Sequence, residues 1–319
     1  MAKYRACLPQ LSEKLFLTDA GMETCLIFHE GLDLPYFASF DLMKNEGGIA
    51  QVRRYYERFI AIARQRGLGF VLESPTWRAN ADWAEKLGYD RQARAAVNRR
   101  TIALMAQMRD QYETAQTAIV ISANVGPRGD GYSPDRMMSV NEAQDYHAEQ
   151  IDVFAATDAD LVSAFTLNYV DEAIGVAHAA RAAKMPVVIS FTVETDGKLP
   201  TGQTLKDAIL ETDLKTGATP AYYMLNCAHP THFAAVLATD EPWVRRLRGL
   251  RANASTRSHA ELDAAPDLDA GDPVALGEQY RDLRRRMPQL TILGGCCGTD
   301  HRHVEQICLA CTAEERKVA

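Results

Sequence analysis

The chain has 319 residues, a formal net charge of −7 and a hydrophobic content of 47%. This length suits one large α/β barrel or two ordinary domains, and the acidic balance gives no indication of a nucleic-acid partner. No apolar stretch is long enough to cross a membrane, and residues 1–10 lack the apolar centre of a signal peptide. We therefore expect a cytoplasmic protein without a membrane anchor.

Eight short apolar runs alternate along the chain with longer segments that have a 3.6-residue apolar periodicity. Each run is continuously apolar, as parallel strands covered on both faces are, although the seventh run is weaker because it is rich in arginine. This alternation predicts a single-domain (β/α)8 barrel over residues 1–319, with its core at about 13–310. The predicted strands are 15–18, 69–72, 118–122, 160–164, 186–191, 221–225, 248–251 and 290–293, and the predicted helices include 49–65, 93–112, 140–156, 171–183 and 204–215.

Three of the seven cysteines follow predicted strands. Cys227 follows the sixth strand, and Cys296 and Cys297 follow the eighth. The carboxyl ends of barrel strands form one rim, where active sites are built, so these thiols are expected to converge. Three thiolates that leave a fourth tetrahedral position open are typical of catalytic zinc. The odd number of cysteines in a chain of this length does not resemble a secreted disulfide framework.

Adjacent strand residues point to opposite faces, so Cys296 and Cys297 can share a metal only if the backbone bends there. Glycines on both sides, within the sequence Gly-Gly-Cys-Cys-Gly at 294–298, permit such a bend. A buried cysteine pair and a redox-active vicinal disulfide are the alternatives to the metal site.

Four other polar residues have both a functional and a structural interpretation. His301 and His303 are expected to begin a helix behind the cap formed by Thr299 and Asp300, rather than to bind a metal. His229 lies near Cys227 and either supports the site or has no role. Asp19 ends the first strand, where it either accepts hydrogen bonds from a substrate ammonium or caps a helix. The chain has neither a dinucleotide fingerprint after a strand nor a phosphate-binding loop.

Several motifs together resemble the homocysteine S-methyltransferase family, which includes the betaine–homocysteine methyltransferases and the homocysteine half of cobalamin-dependent methionine synthase. The resemblance runs from Leu17 to about Ile307. It rests most on Gly-Gly-Cys-Cys-Gly-Thr at 294–299 and Leu-Asn-Cys-Ala-His-Pro at 225–230, with further similarity at 18–24, 124–127, 190–202 and Asn253.

The resemblance implies a (β/α)8 barrel in which Cys227, Cys296 and Cys297 bind Zn²⁺ and activate the substrate thiol. It also implies methyl transfer from a small cationic donor, such as S-methylmethionine, S-adenosylmethionine or betaine, to homocysteine, which gives methionine. The partners would be these small molecules, and the chain would act as a monomer or homo-oligomer. The residues expected to bind substrate are Asp19, Gly21, Met22, Thr76, Phe165 and Asn226.

One position departs from the family pattern. The family commonly has Glu-Thr after the fourth strand, and its glutamate helps to bind the homocysteine ammonium, whereas this chain has Phe165 and Thr166. Glu73 or Glu194 is a possible replacement, although neither matches the family position. A thiol without the amino-acid head group is therefore an alternative acceptor. A non-catalytic zinc- or thiol-binding barrel is the alternative from another class. Trp77 and Phe165 are candidates for cation–π contact with the donor.

Overall fold

The computed structural model describes residues 2–134 and 136–313, and its centre is a closed barrel of eight parallel strands. Each strand pairs with the next one along the chain, and the first pairs with the eighth, so the predicted (β/α)8 fold is confirmed. The strands are β1 (Phe16–Leu17), β2 (Gly69–Glu73), β3 (Ile119–Val125), β4 (Leu161–Leu167), β5 (Val187–Phe191), β6 (Tyr222–Asn226), β7 (Leu247–Ala252) and β8 (Ile292–Gly295).

All eight predicted strands are present, with differences only at their ends. β3 and β4 each continue three residues beyond the predicted apolar run. Both extensions carry polar residues that interrupt the apolar pattern, Asn124 in β3 and Thr166 in β4. Asn124 pairs with Ser163 of β4. The register of β4 against β5 shifts between Ala164 and Leu167, at the carboxyl end of β4.

Helices cover the outside of the barrel, and the five predicted helices all form, with ends within three residues of those expected. Local signals explain the boundaries. At the start of the first long helix the Asn45 side chain accepts from the Gly48 amide, and Gly67, with a φ of 64°, is the C-cap after its last residue, Arg66. The helices are α1 (Met22–Thr24), α2 (Glu46–Arg66), α3 (Ala81–Glu85), α4 (Arg91–Tyr112), α5 (Val140–Ala155), α6 (Val170–Ala182), α7 (Leu205–Thr216), α8 (Pro230–Phe233), α9 (His259–Asp263), α10 (Pro273–Arg286) and α11 (His301–Thr312).

The apolar core has two parts, separated by the barrel wall. Alternate strand side chains fill the barrel interior, among them Phe16, Val71, Leu161 and Ile292. Their neighbours along each strand point outward and pack against the helices in a larger cluster. This double burial explains why each strand is continuously apolar in sequence.

No helix within residues 2–134 and 136–313 is long and apolar enough to span a membrane. The predicted domain limits of 1–319 include residues 1, 135 and 314–319, which lie outside the described part of the chain.

Candidate active site

The sulfur atoms of Cys227, Cys296 and Cys297 lie within 4.8 Å of one another at the carboxyl-end rim of the barrel. The Sγ atoms of Cys227 and Cys297 are 4.0 Å apart. A tetrahedral zinc ion with Zn–S bonds of about 2.3 Å separates its sulfur ligands by roughly 3.8 Å, so the spacing suits one metal ion. In the described part of the chain, no other group of three or more histidine, cysteine or acidic side chains has this arrangement.

The chain bends where β8 ends at Gly295, as the adjacent cysteines require. Gly294 and Gly295 do not have left-handed backbones, and what these positions require is the absence of a side chain. A Cβ atom on Gly294 would collide with the Thr18 side chain, and one on Gly295 would collide with that of Thr299. Gly298 is the residue of this motif with a left-handed backbone, at a φ of 78°. The predicted bend is present, but the first two glycines permit close packing instead.

Two non-glycine residues at this rim have left-handed backbones. They are Thr166, at a φ of 63°, and Cys227 itself, at 56°. The Asn226 side chain holds both regions together, since its Oδ1 accepts from the Thr166 amide at 2.9 Å and its Nδ2 donates to Thr166 Oγ1 at 2.8 Å. Asn253 donates to the Cys227 carbonyl at 3.0 Å. Strained backbones of this kind persist where surrounding contacts fix them, often at functional sites. The predicted role of Asn226 beside the cysteines is consistent with these contacts.

The three thiols interact with one another electrostatically. Hydrogen bonds from Cys296 and Cys297 lower the pKa of the Cys227 thiol well below its usual range. The same contacts with Cys227 raise the pKa values of Cys296 and Cys297. A single negative charge is therefore stabilised readily in this cluster, whereas three together need a cation. A soft divalent metal ion meets that need.

A cavity of about 440 Å³ opens above the cysteines. Five of the six residues predicted to bind substrate lie in its wall. Thr76 does not, because its buried hydroxyl donates to the Asn124 carbonyl at 2.7 Å and contacts Ser74 Oγ at 2.7 Å. Thr76 shapes the loop after β2 and has no direct access to the cavity. The five predicted residues in the wall are Asp19, Gly21, Met22, Phe165 and Asn226.

Asp19 forms a buried ion pair with Arg251 of β7. Its Oδ1 lies 2.7 Å from Arg251 Nη1, and its Oδ2 accepts from the Tyr55 hydroxyl at 3.0 Å. Arg251 also donates to the carbonyls of Ala20 and Gly295 at 2.9 and 3.1 Å. Burial raises the pKa of Asp19, and the contacts with Arg251 and Tyr55 oppose that rise. The carboxylate predicted to accept a substrate ammonium thus already has a cationic partner.

Phe165 and Glu73 both lie near Arg251 in the cavity wall. The guanidinium of Arg251 lies 5.2 Å from the centroid of the Phe165 ring, so this ring already contacts a protein cation. Glu73 is buried in the cavity wall, and its Oε2 has no hydrogen-bond partner among the described residues. Burial raises the pKa of Glu73 to about 8, although Arg251 lies near enough to oppose this shift.

A model of the family described as homocysteine S-methyltransferase matches residues 16–311. The chain belongs to this family. Its fold is similar to three crystal structures of the homocysteine methyltransferase MmuM from Escherichia coli. The oxidised form is 18% identical and has a TM-score of 0.73, with 96% of this chain and 99% of that chain covered. The metallated form is 17% identical and has a TM-score of 0.68, with 97% of this chain and 99% of that chain covered. The apo form is 18% identical and has a TM-score of 0.61, with 97% of this chain and 98% of that chain covered.

Two residues of this homocysteine S-methyltransferase site, Tyr132 and His259, were not singled out from the sequence. His259 Nε2 donates to the Cys227 carbonyl at 2.5 Å, and its Nδ1 lies 3.1 Å from Glu194 Oε1. The Tyr132 ring stacks on His259 at 4.0 Å between centroids, and its hydroxyl lies 3.7 Å from Cys297 Sγ. Glu194 therefore supports His259 and does not line the cavity. Tyr132 lies in a loop without a recognisable motif, whereas His259 is the first residue of α9, directly after the capping residue Ser258. The Ser258–Glu261 capping pattern indicates a helix start but not a position beside the cysteines.

The histidines of this family member that the sequence pattern singled out have structural positions. Asp300 caps α11 and His301 begins it, as expected, and His303 also completes a capping box with Asp300. His229 is the N-cap of α8, and its Nδ1 accepts from the Thr231 amide at 3.3 Å. Neither His229 nor His303 lies in the cavity wall.

Proposed function

We propose that this methyltransferase is zinc-dependent and transfers a methyl group from a small cationic donor to homocysteine, which forms methionine. The observation that carries the proposal is the convergence of Cys227, Cys296 and Cys297 in the wall of a cavity of about 440 Å³. The proposal includes a cytoplasmic location and a monomer or homo-oligomer that acts on small molecules. S-methylmethionine, S-adenosylmethionine and betaine are the candidate donors.

The donor set of the cluster fits zinc. It consists of three soft sulfur ligands close enough to share one ion, and such a set leaves the fourth tetrahedral position free for substrate. When bound there, zinc would stabilise the thiolate form of the acceptor near neutral pH.

The side chains of the cavity would orient the two substrates. Apolar walls from Met22, Phe165 and Trp77 exclude water from the thiolate, and acidic residues at the cavity, including Asp130 and Asp263, favour a cationic donor. The acceptor sulfur forms a bond to the methyl carbon while the bond between that carbon and the donor sulfur or nitrogen breaks. The electron pair of the broken bond stays on the donor, which leaves with its positive charge neutralised. The acceptor thiol has released its proton to solvent before this step.

Homocysteine is proposed as the acceptor because Glu73 offers a buried carboxylate oxygen without a described partner. A substrate ammonium would supply the missing partner and favour the ionised form of Glu73, against the burial that raises its pKa to about 8. Glu73 lies on β2 and not at the family position on β4. The alternative acceptor is a thiol without the amino-acid head group. Two features favour it: Phe165 stands where the family commonly has a glutamate, and Asp19 is already paired with Arg251.

Turnover with two matched acceptors tests the proposal. The zinc-loaded protein is given homocysteine or 4-mercaptobutanoate, which lacks the amino group, together with each of the three donors. Homocysteine is expected to react with at least one donor, with kcat/KM about 10-fold or more above that of 4-mercaptobutanoate, because a charged hydrogen bond contributes about 1.5–3 kcal/mol. Mass spectrometry of the methylated product measures both rates.

The Glu73→Gln variant should lose this preference by slowing only the reaction of homocysteine. Equal rates for the two acceptors would rule out recognition of the ammonium. Failure of methyl transfer to both thiols, despite metal-dependent thiol binding, would favour the non-catalytic alternative.

A further inference from the structure

The guanidinium group of Arg78 lies in the wall of the cavity and forms no ion pair with any described residue. Its Nε is buried and has no hydrogen-bond partner there. A buried cationic donor without an acceptor is costly, and the cost falls when an anion binds to it. Neither the three cysteines nor the residues that hold them use this side chain.

Two tryptophans hold Arg78 in position. Its guanidinium carbon lies 3.7 Å from the centroid of the Trp83 ring and 4.8 Å from that of Trp77. Both indoles are anchored, because Trp77 Nε1 donates to the Phe165 carbonyl at 3.2 Å and Trp83 Nε1 donates to the Gly129 carbonyl at 3.4 Å. The planar cation is therefore oriented before a ligand arrives, which reduces the entropy lost on binding.

The acidic side chains near Arg78 do not neutralise it directly. Glu23 and Asp130 act on it only through space. Glu23 Oε1 accepts from Ser39 Oγ at 2.7 Å, and Asp130 Oδ1 accepts from the Tyr132 amide at 2.8 Å. Burial is the main influence on the guanidinium and lowers the pKa of Arg78. The forked geometry of a guanidinium matches a carboxylate, which it can bind through two parallel hydrogen bonds.

We propose that Arg78 binds a carboxylate of a substrate in this cavity, so that at least one of the two substrates is recognised as a carboxylic acid. The inference rests on the proposed function for the identity of the substrates. A carboxylate can come from an amino-acid acceptor or from a zwitterionic methyl donor, and matched ligand pairs distinguish these sources.

Lys86 provides a matched control on the same indole. Its Nζ lies 3.9 Å from the centroid of the Trp83 ring, but the residue is exposed and does not line the cavity. Arg78→Gln and Lys86→Gln therefore each remove one positive charge beside Trp83, and only the first removes a donor from the cavity. Arg78→Lys keeps the charge but loses the forked pair of donors.

Calorimetry on the zinc-loaded protein, with one compound at a time, measures binding without turnover. The pairs are homocysteine with 3-aminopropane-1-thiol, S-methylmethionine with (3-aminopropyl)dimethylsulfonium, and betaine with tetramethylammonium. Arg78→Gln is expected to weaken the carboxylate-bearing member of at least one pair by about 10- to 100-fold, with its partner compound unchanged. Arg78→Lys should have a smaller effect, and Lys86→Gln should change none of the affinities.

Equal loss of affinity for both members of every pair, or no loss for any, would overturn the proposal. So would a wild-type protein that binds none of the three carboxylates. Failure of the proposed function has a different signature: the wild-type protein transfers no methyl group, while the carboxylate-selective effect of Arg78→Gln on binding persists.

Discussion

Replacement of Cys297 by serine is expected to abolish stable zinc binding and to lower kcat/KM for methyl transfer by more than about 100-fold. The expectation follows from the three sulfurs within 4.8 Å of one another, because two remaining thiolates hold zinc weakly. Loss of a residue that only supports a metal ligand typically costs about 10- to 100-fold, so loss of a ligand itself should cost more. Metal analysis after dialysis and steady-state kinetics measure the two effects.

Cys7→Ser is the control for this substitution, since Cys7 is an exposed cysteine outside the cluster. It should keep one zinc ion per chain and full activity. A Cys297→Ser variant that also keeps one zinc ion per chain, with activity within about twofold of the wild type, would contradict the assignment of the cluster as the zinc site.

Replacement of Asp19 by asparagine is expected to lower the free energy of unfolding by about 3–5 kcal/mol, as seen when one partner of a buried ion pair is removed. The substitution leaves the Arg251 guanidinium buried without its anionic partner, beside the ring of Phe165. Urea denaturation at pH 7 measures the change.

Glu211→Gln provides the comparison, because Glu211 pairs with Lys215 at 2.7 Å on the exposed face of α7. Loss of such a surface pair should cost less than about 0.5 kcal/mol. If Asp19→Asn also cost less than about 1 kcal/mol, the ion pair would not be the main role of Asp19. A selective loss of ligand binding in that stable variant would instead support the predicted contact with a substrate ammonium.

The barrel could be predicted from sequence because its strands are buried on both faces, which produces continuous apolar runs at regular intervals. The same regularity fixed which loops share a rim, so Cys227 and the cysteines at 296 and 297 could be expected to meet. The ends of β3 and β4 were less predictable, since Asn124 and Thr166 belong to strands despite their polarity.

Other parts of the site depend on contacts between distant segments. Asp19 and Arg251 are separated by most of the barrel in sequence, and Tyr132, in the loop after β3, stacks on His259 of α9. Such pairs have no local pattern. Arg251 of β7 is nevertheless an indirect signal, because a charged residue in a buried barrel strand requires a partner. Arg248 and Arg251 together made the run a weak strand candidate, whereas Arg251 lies in the cavity wall.

X-ray absorption at the zinc edge tests the central claim most directly, because it counts the sulfur atoms bound to the metal with and without homocysteine. The zinc-loaded protein is predicted to show three sulfur ligands from Cys227, Cys296 and Cys297, and four when homocysteine is added. A sulfur count that stays the same in the presence of saturating homocysteine would contradict the claim that this cluster binds and activates the acceptor thiol.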